Sequence, residues 1–454
     1  MASPLLQHLG SMMKLGTIGF GGGSALIPLF EKELVRDRAV LEEDEFIRHT
    51  VVANVTPGGL PTKLAALSGL RLAGVAGGVL AGFVTTLPGT LMGIGLVALF
   101  GLLGERGVLV IEFASVGISA YVVVVLLDYV IRIVGTAPKR GVALAIVLAV
   151  ALATGPNSLI RLTGLLIGRE WEAGLPEFGS VQIVVLALAI IVGYSLLTGS
   201  RRRSSEPRLT AGAAGGDAEI GGERPQSLAR PALIVTGIFA GLMILAFAGS
   251  WAVAGMPGLV FMGLIALSIA ATFGGGNAYI GIGAGFFVTT GMISAGMYYG
   301  QLVPIANATP GPLIMKLAAQ MGWVFGVENY GYVAAAVLAA CALVQGVGVS
   351  NVFAMLVFAG YERYANAPIL RDLAVYILPV IGGMLITTAL DMSHTAAVLG
   401  AQAGPPVTAM AWAFVALVAV SWWIVRRFRI MDLWIILGAG VLTLGVLGAI
   451  VWGA

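Results

Sequence analysis

Two segments of this chain recur at one fixed distance of 253 residues, and that recurrence restricts the fold to something built twice. Phe20-Gly21-Gly22-Gly23-Ser24-Ala25-Leu26-Ile27 returns as Phe273-Gly274-Gly275-Gly276-Asn277-Ala278-Tyr279-Ile280. ANVTPGGLPTKLAALSG, from Ala53 to Gly69, returns as ANATPGPLIMKLAAQMG, from Ala306 to Gly322. Two matches in register, carrying Asn, Thr, Pro and Lys, point to duplication of a half-protein. In an apolar chain a duplicated half is the mark of transporters, whose binding sites lie where the halves meet.

The chain is that apolar. Of its 454 residues 58% are hydrophobic and 10% charged, whereas soluble domains carry roughly 25% charged residues. Runs such as 141–153, 183–197 and 433–452 reach, with their neighbours, the ~20 apolar residues that span a bilayer as a helix. They do not alternate apolar with polar, which excludes a membrane β-barrel. The expected fold is therefore all-α: a polytopic helical membrane protein of two homologous halves, read as inverted repeats with broken or re-entrant helices. About five to seven apolar segments are expected in each half, by the spacing of such runs. The N-terminus lacks a basic region and a small-residue cleavage site, so no removable signal peptide is expected. Cys341 lies in an apolar run and reads as a small buried hydrophobe. The net charge of +3 resides in loops, which argues against nucleic-acid binding.

A polar segment, 198–230, divides the chain into a first transmembrane repeat, 1–197, and a second, 231–454. Its six arginines place it in the cytoplasm. Arg426, Arg427 and Arg429 mark a second cytoplasmic loop. After the first FGGG the stretch from Glu31 to Arg48 is charged and reads as an amphipathic helix at the membrane surface. The matching stretch from Gly285 to Val303 carries no charge. That asymmetry is what an inverted repeat leaves under the positive-inside rule.

Thr56-Pro57-Gly58 and Thr309-Pro310-Gly311 each precede a run of good helix formers. Threonine favours the N-cap and proline the first helical position, so each site reads as a helix starting at membrane depth. Such a start leaves free N–H groups and a positive dipole end, together an anion site. Gly58, Gly59 and Gly311 are the expected backbone donors. Lys63 and Lys316 sit at equivalent positions in the two copies, and their side chains lean back toward the helix start. A lysine beside a positive helix end is favourable only with an anion between them; the alternative is an ammonium that snorkels or pairs with a carboxylate. The glycine runs, Gly21-Gly22 and Gly274-Gly275 among them, read as breaks within helices or as close packing sites. Ser24 and Asn277 read as N-caps after them, and Asn54 and Asn307 as amides lining the same cavity or satisfying broken backbone. Asp128 with Arg132, and Asp391 with His394, have helical spacing and are candidate pairs or proton relays, beside Glu112, Glu362 and Arg363.

These residues resemble the chromate ion transporter family of bacterial and archaeal membrane proteins. The family carries, in each half, an FGG element and, some way on, a PGP element. Here these are Phe20-Gly21-Gly22 with Pro57-Gly58, and Phe273-Gly274-Gly275 with Pro310-Gly311-Pro312. Gly74-Val75-Ala76-Gly77-Gly78 and Leu87-Pro88-Gly89 are further family-like features, and Gly23 and Gly59 stand where the pattern often has proline. The resemblance covers both halves, as in the long two-domain members. It implies passage of chromate, with sulfate as a look-alike tetrahedral dianion.

The expected function is thus secondary transport of an inorganic oxyanion across the plasma membrane by alternating access, driven by a proton or a counter-anion. A channel for anions on the same repeats, or a transporter of another anion, is the alternative. No Walker motif, HExxH or GxSxG occurs, and the three histidines (His8, His49, His394) are dispersed, so neither an enzyme, a metal site nor a cofactor is expected. The bilayer and the oxyanion are the expected partners, and a homo-oligomer is compatible with the reading.

Overall fold

The computed structural model describes residues 3–19, 26–102, 104–169, 171, 174–178, 180–198, 228–273, 276–360, 368–428 and 432–452. Every regular element among them is helical. The first half contains α1 (Pro4–Ile18), α2 (Ile27–Glu31), α3 (Glu43–Val55), α4 (Leu60–Val84), α5 (Leu87–Leu102), α6 (Gly104–Thr136), α7 (Arg140–Thr154), α8 (Pro156–Ile167) and α9 (Ser180–Thr198). The second contains α10 (Ala229–Ala270), α11 (Gly276–Phe287), α12 (Ala295–Met297), α13 (Val303–Ala308), α14 (Leu313–Tyr330), α15 (Tyr332–Ala359), α16 (Pro368–Ala401), α17 (Val407–Phe428) and α18 (Asp432–Trp452). Seven stretches are long and apolar enough to cross a bilayer, eight with the bent pair α7–α8, whose axes meet at 76°. The protein is a polytopic helical membrane protein.

Two of the longest stretches double back. In α4, Ala73 and Gly74 leave the helical region, Gly74 at φ +62°, ψ −151°. A methyl on Gly69 would overlap the carbonyl of Gly77, and one on Gly77 that of Gly69. In a straight helix residues eight apart lie ~12 Å from one another, so the chain reverses at Gly74. The same holds in α10, where Gly255 has φ +58° and a methyl on Gly258 would overlap the carbonyl of Ser250. In the second half the counterpart of the Gly74 turn is Gly331, φ +85°, between α14 and α15, with Gly322 packed on Leu338 and Gly326 on Ala335. Small residues on both legs let the backbones touch, which is how helices associate where lipid removes the hydrophobic drive.

The charged stretch after the first FGGG is not one surface helix. It forms α2, a π-helical turn over Lys32–Asp37, and α3, separated by a turn in which Ala39 takes φ +48°. Glu33 is buried against α1, where Ser11 Oγ donates to it at 2.8 Å and Lys14 Nζ pairs with it at 2.5 Å. Arg38 donates to the Gln7 carbonyl and to Ser11 Oγ. These groups need partners once desolvated, so the segment packs along α1.

α10 packs along α15, and α15 along α14; α16 and α18 pack on α6. The largest fully buried side chains include Tyr279, Tyr298, Phe261 and Phe287, but also Lys63 and Lys316. Cys341 is a free, buried thiol, as its apolar setting predicts.

Candidate functional site

Both TPG elements are breaks between two helices, but the caps differ from expectation. Thr56 and Thr309 are the C-caps of α3 and α13. Their hydroxyls turn back and donate to the carbonyls of Val52 and Ile305, at 2.8 and 2.9 Å. The following helices start later, at Leu60 and Leu313, with Gly59 and Pro312 as N-caps. Pro57 and Pro310 therefore lie in the break itself, not at the first helical position. The reason is the glycine after each proline. Gly58 (φ +94°) and Gly311 (φ +91°) take a left-handed conformation that cannot belong to a right-handed helix.

Lys63 and Lys316 are 1% and 2% exposed. Their side chains lean back as expected, yet the ammonium groups do not point at bare N–H groups. Lys63 Nζ donates to the carbonyls of Thr56 at 2.7 Å and Pro57 at 3.3 Å. Lys316 Nζ donates to those of Ala306 and Thr309, both at 2.5 Å. Each lysine thus closes the negative C-terminal end of the preceding helix, where a cation is favourable. Ion pairs are formed by Lys14, Arg36, Arg71, Arg132 and Arg161. Neither Lys63 nor Lys316 has a carboxylate partner among the described residues. Both buried lysines rest on neutral carbonyls, and a protonated Nζ keeps a further N–H beyond the two it uses there.

The breaks of the two halves are joined reciprocally. Gly58 N–H donates to the Thr272 carbonyl, and Gly311 N–H to the Gly19 carbonyl, both at 2.7 Å. Gly19 and Thr272 immediately precede the two FGGG elements and are themselves 253 residues apart. One bond is the other's image under exchange of the halves, the pattern that a two-fold relation imposes. The starts of α4 and α14 also approach one another: a methyl on Gly59 would lie 3.0 Å from Met315 Cε.

Beyond the hairpin turns the register between halves changes, because the turn at Gly331 lies 257 residues after that at Gly74 and not 253. Gly58 faces Ser350 of α15, whereas Gly311 faces Gly89 of α5. The chemistry at the two places is matched. Gly59 N–H donates to Ser350 Oγ at 3.0 Å; at the equivalent place Pro312 has no N–H to give and Gly89 no hydroxyl to receive it. Beside Ser350, Asn351 donates to Thr62 Oγ1 at 3.2 Å, and Thr62 donates to the Gly82 carbonyl at 3.1 Å. The amides of Gly58, Gly59 and Gly311 thus all have protein acceptors in this structure. In the first turns, Pro61 has no N–H, and the N–H groups of Lys63 and Lys316 donate to the Gly59 and Pro312 carbonyls at 3.3 and 3.4 Å; those of Leu60 and Thr62, and of Leu313, Ile314 and Met315, lack an acceptor in their own helix.

The remaining expected site residues fall in different places. Asn54 is exposed and Asn307 partly buried, and each amide bonds back to its own helix, to the carbonyls of Thr50 and Val303. Of the two readings for these amides, the backbone one describes their contacts. Asn277 is inside the first turn of α11, after Gly276, instead of at an N-cap, and its Oδ1 is buried without a partner among the described residues. Gly21, Gly22, Ser24, Gly274, Gly275, Glu362 and Arg363 lie outside the described residues. Asp128 and Arg132 pair at 2.9 Å; Asp391 meets Arg161 at 3.5 Å instead of His394. Ser350, Asn351, Thr90 and Gln320 were not singled out by sequence. The available signal was a polar residue within an unbroken apolar run.

The family model described as chromate transporter matches residues 6–169 and 266–444. The chain is 34% identical over 105 residues to a Bacillus subtilis protein named uncharacterized transporter YwrB, covering 23% of this chain and 53% of that one. It is 38% identical over 74 residues to uncharacterized transporter YwrA of the same organism, covering 16% and 42%. It is 30% identical over 128 residues to a probable chromate transport protein of Synechococcus elongatus, covering 28% and 33%. The aligned stretches span about half or less of these relatives' lengths. No solved structure matches the chain.

Proposed function

The chain belongs to the chromate transporter family, and from that premise we propose that it is a secondary transporter carrying an inorganic oxyanion, chromate with sulfate as its look-alike, across the prokaryotic plasma membrane. The observation that carries this reading is the pair of buried lysines without carboxylates, set at two helix breaks that the halves hold for each other. A dianion between them neutralises both charges and takes the free first-turn amides of α4 and α14.

The halves, taken as 1–197 and 231–454 with a cytoplasmic linker at 198–230, act as inverted repeats. Alternating access follows from rocking one against the other about the TPG breaks. The cross-half bonds supply the coupling. Thr272, Gly19 and Ser350 are neutral acceptors holding amides that an oxyanion would hold more strongly, since hydrogen bonds to an ionised acceptor are about twice as strong. An arriving anion therefore competes with the bonds that tie the halves together. A proton or a counter-anion supplies the driving force.

The test is uptake of labelled chromate and sulfate into inverted membrane vesicles, with Lys63→Met and Lys316→Met beside the parent. Each substitution keeps the volume and removes the charge. Each is expected to lower uptake at least about tenfold, the equivalent of ~1.4 kcal/mol. Parental uptake in both variants, at equal protein level, would remove the lysines from the mechanism.

A further inference from the structure

Gln320, like Gln345 in α15, is a fully buried amide with both side-chain polar atoms unpartnered among the described residues. Burying an amide with nothing to bond it is unfavourable, and native cores rarely do so without a reason. Nor does the packing require a polar side chain there: the equivalent position in the first half is Leu67, itself fully buried.

The position says what the amide serves. Gln320 stands four residues after Lys316 in α14, so the two side chains share a face one turn apart. That face packs on α5 of the other half. A methyl on Gly89 would lie 3.1 Å from Lys316 Cδ, and one on Gly93 would overlap Gln320 Nε2. Gly89 and Gly93 are likewise four apart, so α5 offers a notch in which the lysine and the glutamine lie one above the other. Thr90, between those glycines, is buried with a hydroxyl that also lacks a partner among the described residues.

The geometry points to Gln320 as a substrate contact, donating its amide N–H to an oxyanion one turn beyond Lys316, in a second-half cradle that the first half, with Leu67, does not duplicate. This rests on the oxyanion-transport reading above and adds to it an asymmetry: the two lysines and the backbone amides are contributed by both halves, but the side-chain amide contact to the oxyanion belongs to the α14–α5 side.

Gln320→Leu tests it: the substitution installs the residue of the equivalent position, Leu67, and removes both amide atoms. In vesicle uptake the apparent KM for the oxyanion is expected to rise at least tenfold, with the melting temperature of the purified protein unchanged or raised. A structural glutamine would instead lower the melting temperature and leave KM alone. Gly93→Ala gives an independent reading: its methyl displaces only the mobile end of Gln320, so KM should rise similarly, and the double variant should be no worse than Gln320→Leu alone. A KM within twofold of the parent in these variants overturns the assignment while leaving transport standing. Absence of saturable uptake of either chromate or sulfate by the parent overturns the transport reading, and the assignment with it.

Discussion

Gly58 is constrained from three sides. Its φ of +94° excludes most L side chains, its N–H is given to Thr272, and a methyl in place of its hydrogen would lie 2.8 Å from Ser350 Cβ and 2.9 Å from Ser350 Cα. Gly58→Ala therefore incurs the left-handed penalty of ~1–2 kcal/mol and an overpacking cost of ~1–3 kcal/mol. Gly59, its neighbour, has φ −71°, and a methyl there meets the flexible tip of Met315 at 3.0 Å. Gly59→Ala is expected to cost under ~1.5 kcal/mol. Thermal melts of the two purified variants in detergent check the order; equal losses would show that the break at Gly58 is not held as described. The two lysines and the TPG breaks were legible in sequence because they repeat at one spacing. Ser350, Asn351 and Gln320 were not, because the groups they face lie in the other half, past hairpins of unequal length where the 253-residue register no longer applies. The cap roles of Thr56 and Thr309 were misassigned for a local reason: a threonine before proline suits a helix start, but the glycine that follows fixes a left-handed turn and delays the helix.

At the scale of elements, hydropathy recognises apolar length and is blind to reversal. Residues 60–102 read as one apolar stretch, yet the chain doubles back at Gly74. Composition therefore established a helical membrane fold, and the GVAGG stretch at 74–78 stood out only as a family-like feature, so the hairpin needed the distance between Gly69 and Gly77. The two glycine types make different demands. Gly74 has open space around it and a backbone conformation reserved for glycine, so Gly74→Ala costs only conformational strain, ~1–3 kcal/mol. Gly69 has ordinary helical geometry, but its methyl would overlap backbone of the facing leg. Backbone cannot step aside like a side chain, so Gly69→Ala must push the legs apart and loosen what both bury. Gly69→Ala is thus expected to melt lower than Gly74→Ala and to accumulate less in the membrane. The reverse order would mean that the turn, not the close approach, holds the hairpin.

For the molecule as a whole, the reciprocal bonds Gly58–Thr272 and Gly311–Gly19 mean that neither half satisfies its own helix break. Each TPG turn also takes its steric cover from the other half, Ser350 over Gly58 and Gly89 over Gly311. Taken apart, a half would expose these amides, and each unmade bond left in an apolar surround costs ~1–3 kcal/mol. Its lysine would keep the local carbonyls but lose the packing that excludes lipid from the break. The peptide connection between halves contributes none of these contacts: the linker joins α9 to α10, and the interlock lies among α1, α4, α5, α10, α14 and α15. Cutting the chain within 199–227 and expressing the two pieces, 1–198 and 228–454 at the least, as separate polypeptides should therefore give an assembled protein. A tag on one piece is expected to retain the other from detergent-solubilised membranes, with oxyanion uptake near that of the intact chain. Each piece expressed alone should be degraded or aggregate. A half that folds stably by itself, with a melt like that of the pair, would show that the cross-half bonds ornament two independent domains instead of building one core.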